Sequence, residues 1–204
     1  MINTRRDDVT RRWALRLTAC LLAGAATLTG CSEKQEASQS LPTTTSSAEP
    51  TEDALPPLGP EDFPVPDEAR EQTQEGALAF AKYFMALGTE IGLGNAPAQS
   101  LLDLSTDECR LCRQVAESFA DDQAAGYTRR GSASTFEEYG PPLLSGNTAD
   151  VGFVYTQSAD QVVDQTGREV PERAGQASGE LQSGMRLTWQ SADRCWLVSN
   201  LTVG

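Results

Sequence analysis

The residues of this chain best suited to chemistry are three cysteines, Cys109, Cys112 and Cys195, set among many carboxylates and without a single histidine in 204 residues. Cys109-Arg110-Leu111-Cys112 places two thiols at i and i+3 near the expected start of a helix. There the helix N-terminus and the flanking Arg110 and Arg113 would stabilise a thiolate and lower its pKa. That opens a thiol–disulfide redox reading. A local disulfide that pins the helix start is the competing one, and it is preferred, because no strand precedes the pair and no aromatic flanks it. Cys195 is the odd cysteine, either a buried free thiol in the last strand or a partner for Cys109 or Cys112. The former is favoured. A zinc site built from the three with a carboxylate has neither histidine nor ligand spacing behind it, so no metal is assigned.

The missing histidine removes the commonest general base near neutral pH and the usual partner of serine and cysteine nucleophiles. A triad hydrolase is excluded on that ground, and no catalytic residue is assigned. Asp121-Asp122 and Glu137-Glu138 are adjacent acids whose side chains point apart, which reads as solvated surface. Gly92-Leu93-Gly94 lacks the later glycine and the preceding strand of a phosphate loop, so no cofactor is expected. Phe80, Phe84, Tyr155 and Trp189, with Tyr83 and Trp196, are the candidates to line a pocket between the first helix and a sheet. Plain core is the competing reading. A ligand in such a pocket would be small and partly apolar.

The elements that must position these groups follow from periodicity. Pro66-Asp67 is a helix start signal, and Ala77, Phe80, Ala81, Phe84, Leu87 and Ile91 recur at helical spacing up to the stop at Gly92-Leu93-Gly94-Asn95. A short helix over Ala98–Leu104 follows Pro97. Ser105-Thr106-Asp107-Glu108 reads as a capping box for a third helix from about Thr106 to Ala125, ended by Gly126. From Tyr127 the period changes to two, and Gly140-Pro141-Pro142, Ser145-Gly146-Asn147, Gln165-Thr166-Gly167 and Gly175–Gly179 punctuate strands at Ala149–Gln157, Ser183–Gln190 and Cys195–Val203. Met185, Leu187 and Trp189 should share one face, and Cys195, Leu197, Leu201 and Val203 another. The class expected is α+β: three helices packed on one face of a curved antiparallel sheet, in a single domain over residues 67–204.

Upstream of that domain the chain reads as an address. Arg5, Arg6, Arg11, Arg12 and Arg16 precede an apolar run from Leu17 to Leu28, too short for the ~20 residues a spanning helix needs. Leu28-Thr29-Gly30-Cys31 then resembles the lipobox of bacterial lipoproteins. The resemblance implies that residues 1–30 are a cleaved signal peptide and that Cys31 is the lipid attachment site, its acyl chains inserted in the membrane as the partner. Thr10-Arg11-Arg12-Trp13-Ala14-Leu15-Arg16 is similar to a twin-arginine export motif, as an alternative to the general secretory route. Residues 31–66, rich in Ser, Thr, Glu, Gln and Pro, are expected to form a disordered tether with a reach of about 30–36 Å, closed by Phe63-Pro64-Val65-Pro66, whose Phe and Val should pack back onto the domain just ahead of the first helix. Residues 1–30 hold five arginines against Asp7 and Asp8, so without them the net charge of −13 becomes −16. Such an acidic chain disfavours nucleic acid as a partner.

A wider resemblance rests on the lipobox, the tether, Phe63-Pro64-Val65-Pro66-Asp67-Glu68-Ala69-Arg70, Thr73-Gln74-Glu75-Gly76-Ala77, Phe80-Ala81-Lys82-Tyr83-Phe84 and the Cys109/Cys112 pair. Together they resemble a family of uncharacterised actinobacterial lipoproteins, a domain of unknown function. The order of elements is also similar to the cone-shaped NTF2-like fold. The expected role is a lipid-anchored extracytoplasmic binding or interaction module without catalysis. The alternatives are a redox protein using Cys109 and Cys112, or an NTF2-like small-molecule enzyme.

Overall fold

The computed structural model describes residues 56–204, so the signal peptide, Cys31 and the tether up to residue 55 lie outside the described residues. Three helices come first: α1 (Gln74–Leu93), α2 (Gln99–Asp103) and α3 (Arg110–Ala124). Seven strands follow: β1 (Thr128–Arg130), β2 (Ser134–Glu138), β3 (Leu143–Ser145), β4 (Thr148–Gln157), β5 (Gln161–Val163), β6 (Leu181–Gln190) and β7 (Cys195–Thr202). The main sheet is antiparallel and open, in the order β2-β4-β6-β7, with β3 also paired to β4. β1 and β5 form a separate two-stranded ribbon. The class is α+β. Among the described residues no helix is long and apolar enough to cross a membrane.

The long helix starts later than Pro66-Asp67 signals. Asp67–Arg70 is a single 3-10 turn, and α1 begins after Thr73, whose hydroxyl accepts the Gly76 N–H at 2.9 Å. It ends at Gly94 (φ 86°), where the Gly94 and Asn95 N–H groups return to the Ile91 and Glu90 carbonyls. Only glycine takes that left-handed turn without steric cost. The expected capping box at Ser105 and Glu108 does not form. The Thr106 N–H is held by the Val198 carbonyl at 2.9 Å and the Val198 N–H by the Leu104 carbonyl, a parallel bridge that ties Ser105 to β7. Helix α3 therefore starts only at Arg110, capped by the Cys109 sulfur, which accepts the Cys112 N–H at 3.3 Å.

The apolar stripe of α1, from Ala77 to Ile91, is buried against Ala149, Val151 and Phe153 of β4 and Met185 and Leu187 of β6. Met185, Leu187 and Trp189 do share the covered face. In β7 the alternation breaks: Trp196 pairs with Trp189 and Val198 with Leu187, but Leu201, not Asn200, pairs with Met185. A bulge between these pairs admits one extra residue and reverses the alternation. Trp196 and Val198 are thus the inward residues ahead of it, while Cys195 and Leu197 fall on the face opposite to Leu201.

The folded body also begins earlier than residue 67. Leu58 and Phe63 pack on the core, Val65 is buried, and the Val65 N–H reaches the Leu58 carbonyl at 2.8 Å. Arg70, only 3% exposed, fastens this entry. Its guanidinium donates to the carbonyls of Pro56 at 2.6 Å and Asp193 at 2.7 Å, the latter in the β6–β7 turn.

Candidate functional site

A cleft of about 400 Å³ opens between the C-terminal half of α1, the inner face of α3 and the ends of β4 and β7. Phe84 and Met85 come from α1, Leu111, Val115 and Phe119 from α3, Tyr155 from β4, and Leu201 from β7. The spacing explains the wall on α3, since 111, 115, 118 and 119 recur on one helical face. Of the four expected pocket residues, Phe84 and Tyr155 line this cleft and Phe80 and Trp189 do not. Phe80 is fully buried beside Phe84, their ring centroids 6.4 Å apart. Trp189 packs edge-on against Trp196 at 5.0 Å. The two indoles fill the inner face near the β6–β7 turn, so the sheet remains open only at its other end, where Tyr155 and Leu201 stand.

One end of the cleft is closed by a charged cluster that composition alone did not single out. Arg129 donates through one terminal nitrogen to both oxygens of Asp160 (3.3 and 3.0 Å) and through the other to Asp122 at 2.9 Å. Asp122 also accepts from Arg173 Nε at 2.7 Å, and Asp160 from the Gly175 N–H at 2.6 Å. The Arg129 guanidinium lies over the Phe119 ring, 5.7 Å from its centroid. Asp121 is exposed as expected, but Asp122 is buried, which corrects its reading as solvated surface. A signal was present: Asp122 lies three residues after Phe119 and seven after Val115, on the inward face of α3. Glu138, by contrast, is a half-exposed partner of Lys82 at 3.0 Å.

The structure joins Cys109 to Cys112, with their Cα atoms 5.3 Å apart and exposures of 0 and 1%. Thiol–disulfide exchange proceeds by in-line attack of a partner thiolate on a sulfur, which this burial obstructs. A loop this short contributes about 2 kcal/mol through chain entropy. Replacing both cysteines by serine should lower the melting temperature by about 6 °C, at roughly 3 °C per kcal/mol for a body of this size, with the circular dichroism spectrum unchanged. A loss of the folded spectrum would show the bridge to be essential to the fold instead. Cys195 remains a thiol, buried at 1% exposure. Burial pushes it up to about 12, with Arg70 acting in the opposite direction. It is thus protonated and unreactive at neutral pH. Among the described residues no group of three or more Cys, Asp or Glu side chains is placed to hold a metal.

Tyr155 is raised by burial, with Ser134 acting the other way, so its phenol stays protonated as a potential donor at neutral pH. The arrangement as a whole offers an apolar wall, neutral hydrogen-bonding groups and a self-paired charged end.

No family model and no curated protein matches the chain. Among solved structures it is similar to the intermembrane space region of the chloroplast protein ARC6, with a TM-score of 0.48 and 12% identity over 65% of this chain and 97% of that one. It is also similar to a protein from Catenulispora acidiphila, with a TM-score of 0.39 and 11% identity over 64% and 92% of the two chains. A calcium/calmodulin-dependent protein kinase II association domain from Xanthomonas campestris gives a TM-score of 0.32 and 13% identity over 63% and 84%. The architecture rests on the chain's own elements: three helices and an open antiparallel sheet enclosing a cleft.

Proposed function

We propose that this protein is a lipid-anchored extracytoplasmic module that binds a small, partly apolar ligand without transforming it. The cleft between α1, α3 and the open end of the sheet carries the binding half of this reading. Its volume lies within the ~300–1,000 Å³ of small-molecule sites, and its lining is mostly apolar with a few polar groups, as such sites are. The anchoring half rests on the basic leader, the short apolar run and Leu28-Thr29-Gly30-Cys31. In the same reading the sheet is the wall of an NTF2-like cone, supported by α1 crossing its inner face and the twist a bulge adds to β7. The chain is then a member of the actinobacterial lipoprotein kind described above. The redox alternative is disfavoured by the burial of Cys109 and Cys112.

Titration with indole, an uncharged apolar fragment, should shift the methyl resonances of Met85, Leu111, Val115 and Leu201 before any others. Shifts scattered over the surface, or none, would overturn binding at the cleft. For the anchor, the expected result is a mature protein in the membrane fraction whose first residue is an acylated Cys31, and its release by Cys31→Ser. An unmodified Cys31 would refute it.

A further inference from the structure

The charged end of the cleft limits what can enter. Among the described residues that line the cleft only Arg129 and Asp160 are charged, and they pair with each other. Both terminal nitrogens of Arg129 are taken by carboxylates, Asp122 and Asp160, and Asp122 also neutralises Arg173. Two guanidiniums and two carboxylates leave the cluster with no net charge. An anion would meet Arg129 in a cluster whose charge is already balanced, and taking the nitrogen that faces Asp160 would leave that fully buried carboxylate uncompensated. A cation would find the Asp160 oxygens already accepting from Arg129 and the Gly175 N–H. Uncommitted neutral groups do exist there: Ser118 and Gln157 line the cleft, and their hydrogen bonds among the described residues run through backbone atoms. A hydroxyl and a primary amide can each donate and accept.

We propose that the cleft selects an uncharged ligand, an apolar body with one hydrogen-bonding edge of hydroxyl, amide or ester type, and rejects anions. This inference rests on the cleft being a binding site, as proposed above. It adds the charge class of the ligand and names the Arg129–Asp160 pair as the element that sets it.

Two dyes that differ by one sulfonate test it on the full chain: uncharged N-phenyl-1-naphthylamine and anionic 1-anilinonaphthalene-8-sulfonate. Binding that Val115→Trp removes is binding in the cleft, which separates it from dye taken up by the apolar leader; Ser118→Trp at the rim serves if Val115→Trp fails to fold. The expected result is saturable cleft binding of the uncharged dye, with the anionic dye at least about tenfold weaker. Equal affinity for both would overturn the charge selection while leaving the cleft reading intact. If neither dye gave a signal sensitive to Val115→Trp or Ser118→Trp, both inferences would fall. Asp160→Asn keeps an oxygen for the Gly175 N–H and frees Arg129, so it should raise the affinity for the anionic dye about tenfold relative to the uncharged dye. A folded Asp160→Asn protein with an unaltered ratio of the two affinities would overturn the role given to that pair.

Discussion

Trp196→Ala should lower the melting temperature of the folded body by about 12 °C. The indole is fully buried, its Nε1–H donates to the Glu71 carbonyl at 2.9 Å, and its ring meets Trp189 edge-on at 5.0 Å. Truncating a buried tryptophan costs about 3–5 kcal/mol, from lost transfer energy and from the cavity left behind. At about 3 °C per kcal/mol that is the shift expected by calorimetry. The carbonyl of Glu71 also loses its donor, and this part can be isolated. Trp196→Phe keeps most of the volume but not the N–H, so it should cost only about 1–3 kcal/mol. A shift as large for phenylalanine as for alanine would mean that the hydrogen bond, and not the packed volume, holds the end of the sheet.

The second large effect is expected at Asp122. Asp122→Ala removes the carboxylate shared by Arg129 and Arg173, which tie the β1–β5 ribbon and the following loop to α3. Breaking a buried ion pair from one side costs about 3–5 kcal/mol, because a charge stays buried without its partner. The lower end applies here. Arg129 keeps Asp160, and Arg173 is 36% exposed and can turn to water. A fall of about 9 °C is therefore expected. The adjacent Asp121→Ala, on the exposed face of the same helix, should stay within about 0.5 kcal/mol of the parent. Equal melting temperatures for the two variants would show that the cluster contributes nothing to holding the ribbon in place.

The contrast between these neighbouring aspartates marks what sequence could and could not disclose. Helix α1 was legible because a six-residue apolar stripe recurs at 3.6-residue spacing, and β4 and β6 because their inward residues alternate; β7 was legible as a strand, but not which of its residues face inward. The short strands β1, β2, β3 and β5 were not, since three to five residues with mixed burial give too little period to read. The false capping box at Ser105 arose from a local pattern overridden by a long-range pairing, Thr106 to Val198. The bulge in β7 could not be seen in one strand alone, because it is a mismatch with the count of residues in β6.

The candidate site divides in the same way. Phe84 and Tyr155 were chosen as aromatics facing the sheet, and they line the cleft; Phe80 and Trp189 were chosen on equal grounds and lie in packed core. Residue type cannot tell a lining aromatic from a filling one, because the difference lies in which end of the sheet the two indoles occupy. Arg129 and Arg173, the partners of Asp122, and Asp160, which shares Arg129 with it, are scattered between residues 129 and 173 of loop and ribbon, a separation over which no spacing rule operates.

The Arg70 clasp has a mechanical corollary. It fixes Pro56, where the chain enters the folded body, beside the β6–β7 turn, whereas Leu201 at the rim of the cleft stands about 20 Å farther along β7. Handle and mouth therefore occupy opposite poles of the body. A pull applied at Pro56 is met first by a buried guanidinium gripping three carbonyls, at the pole away from the cleft.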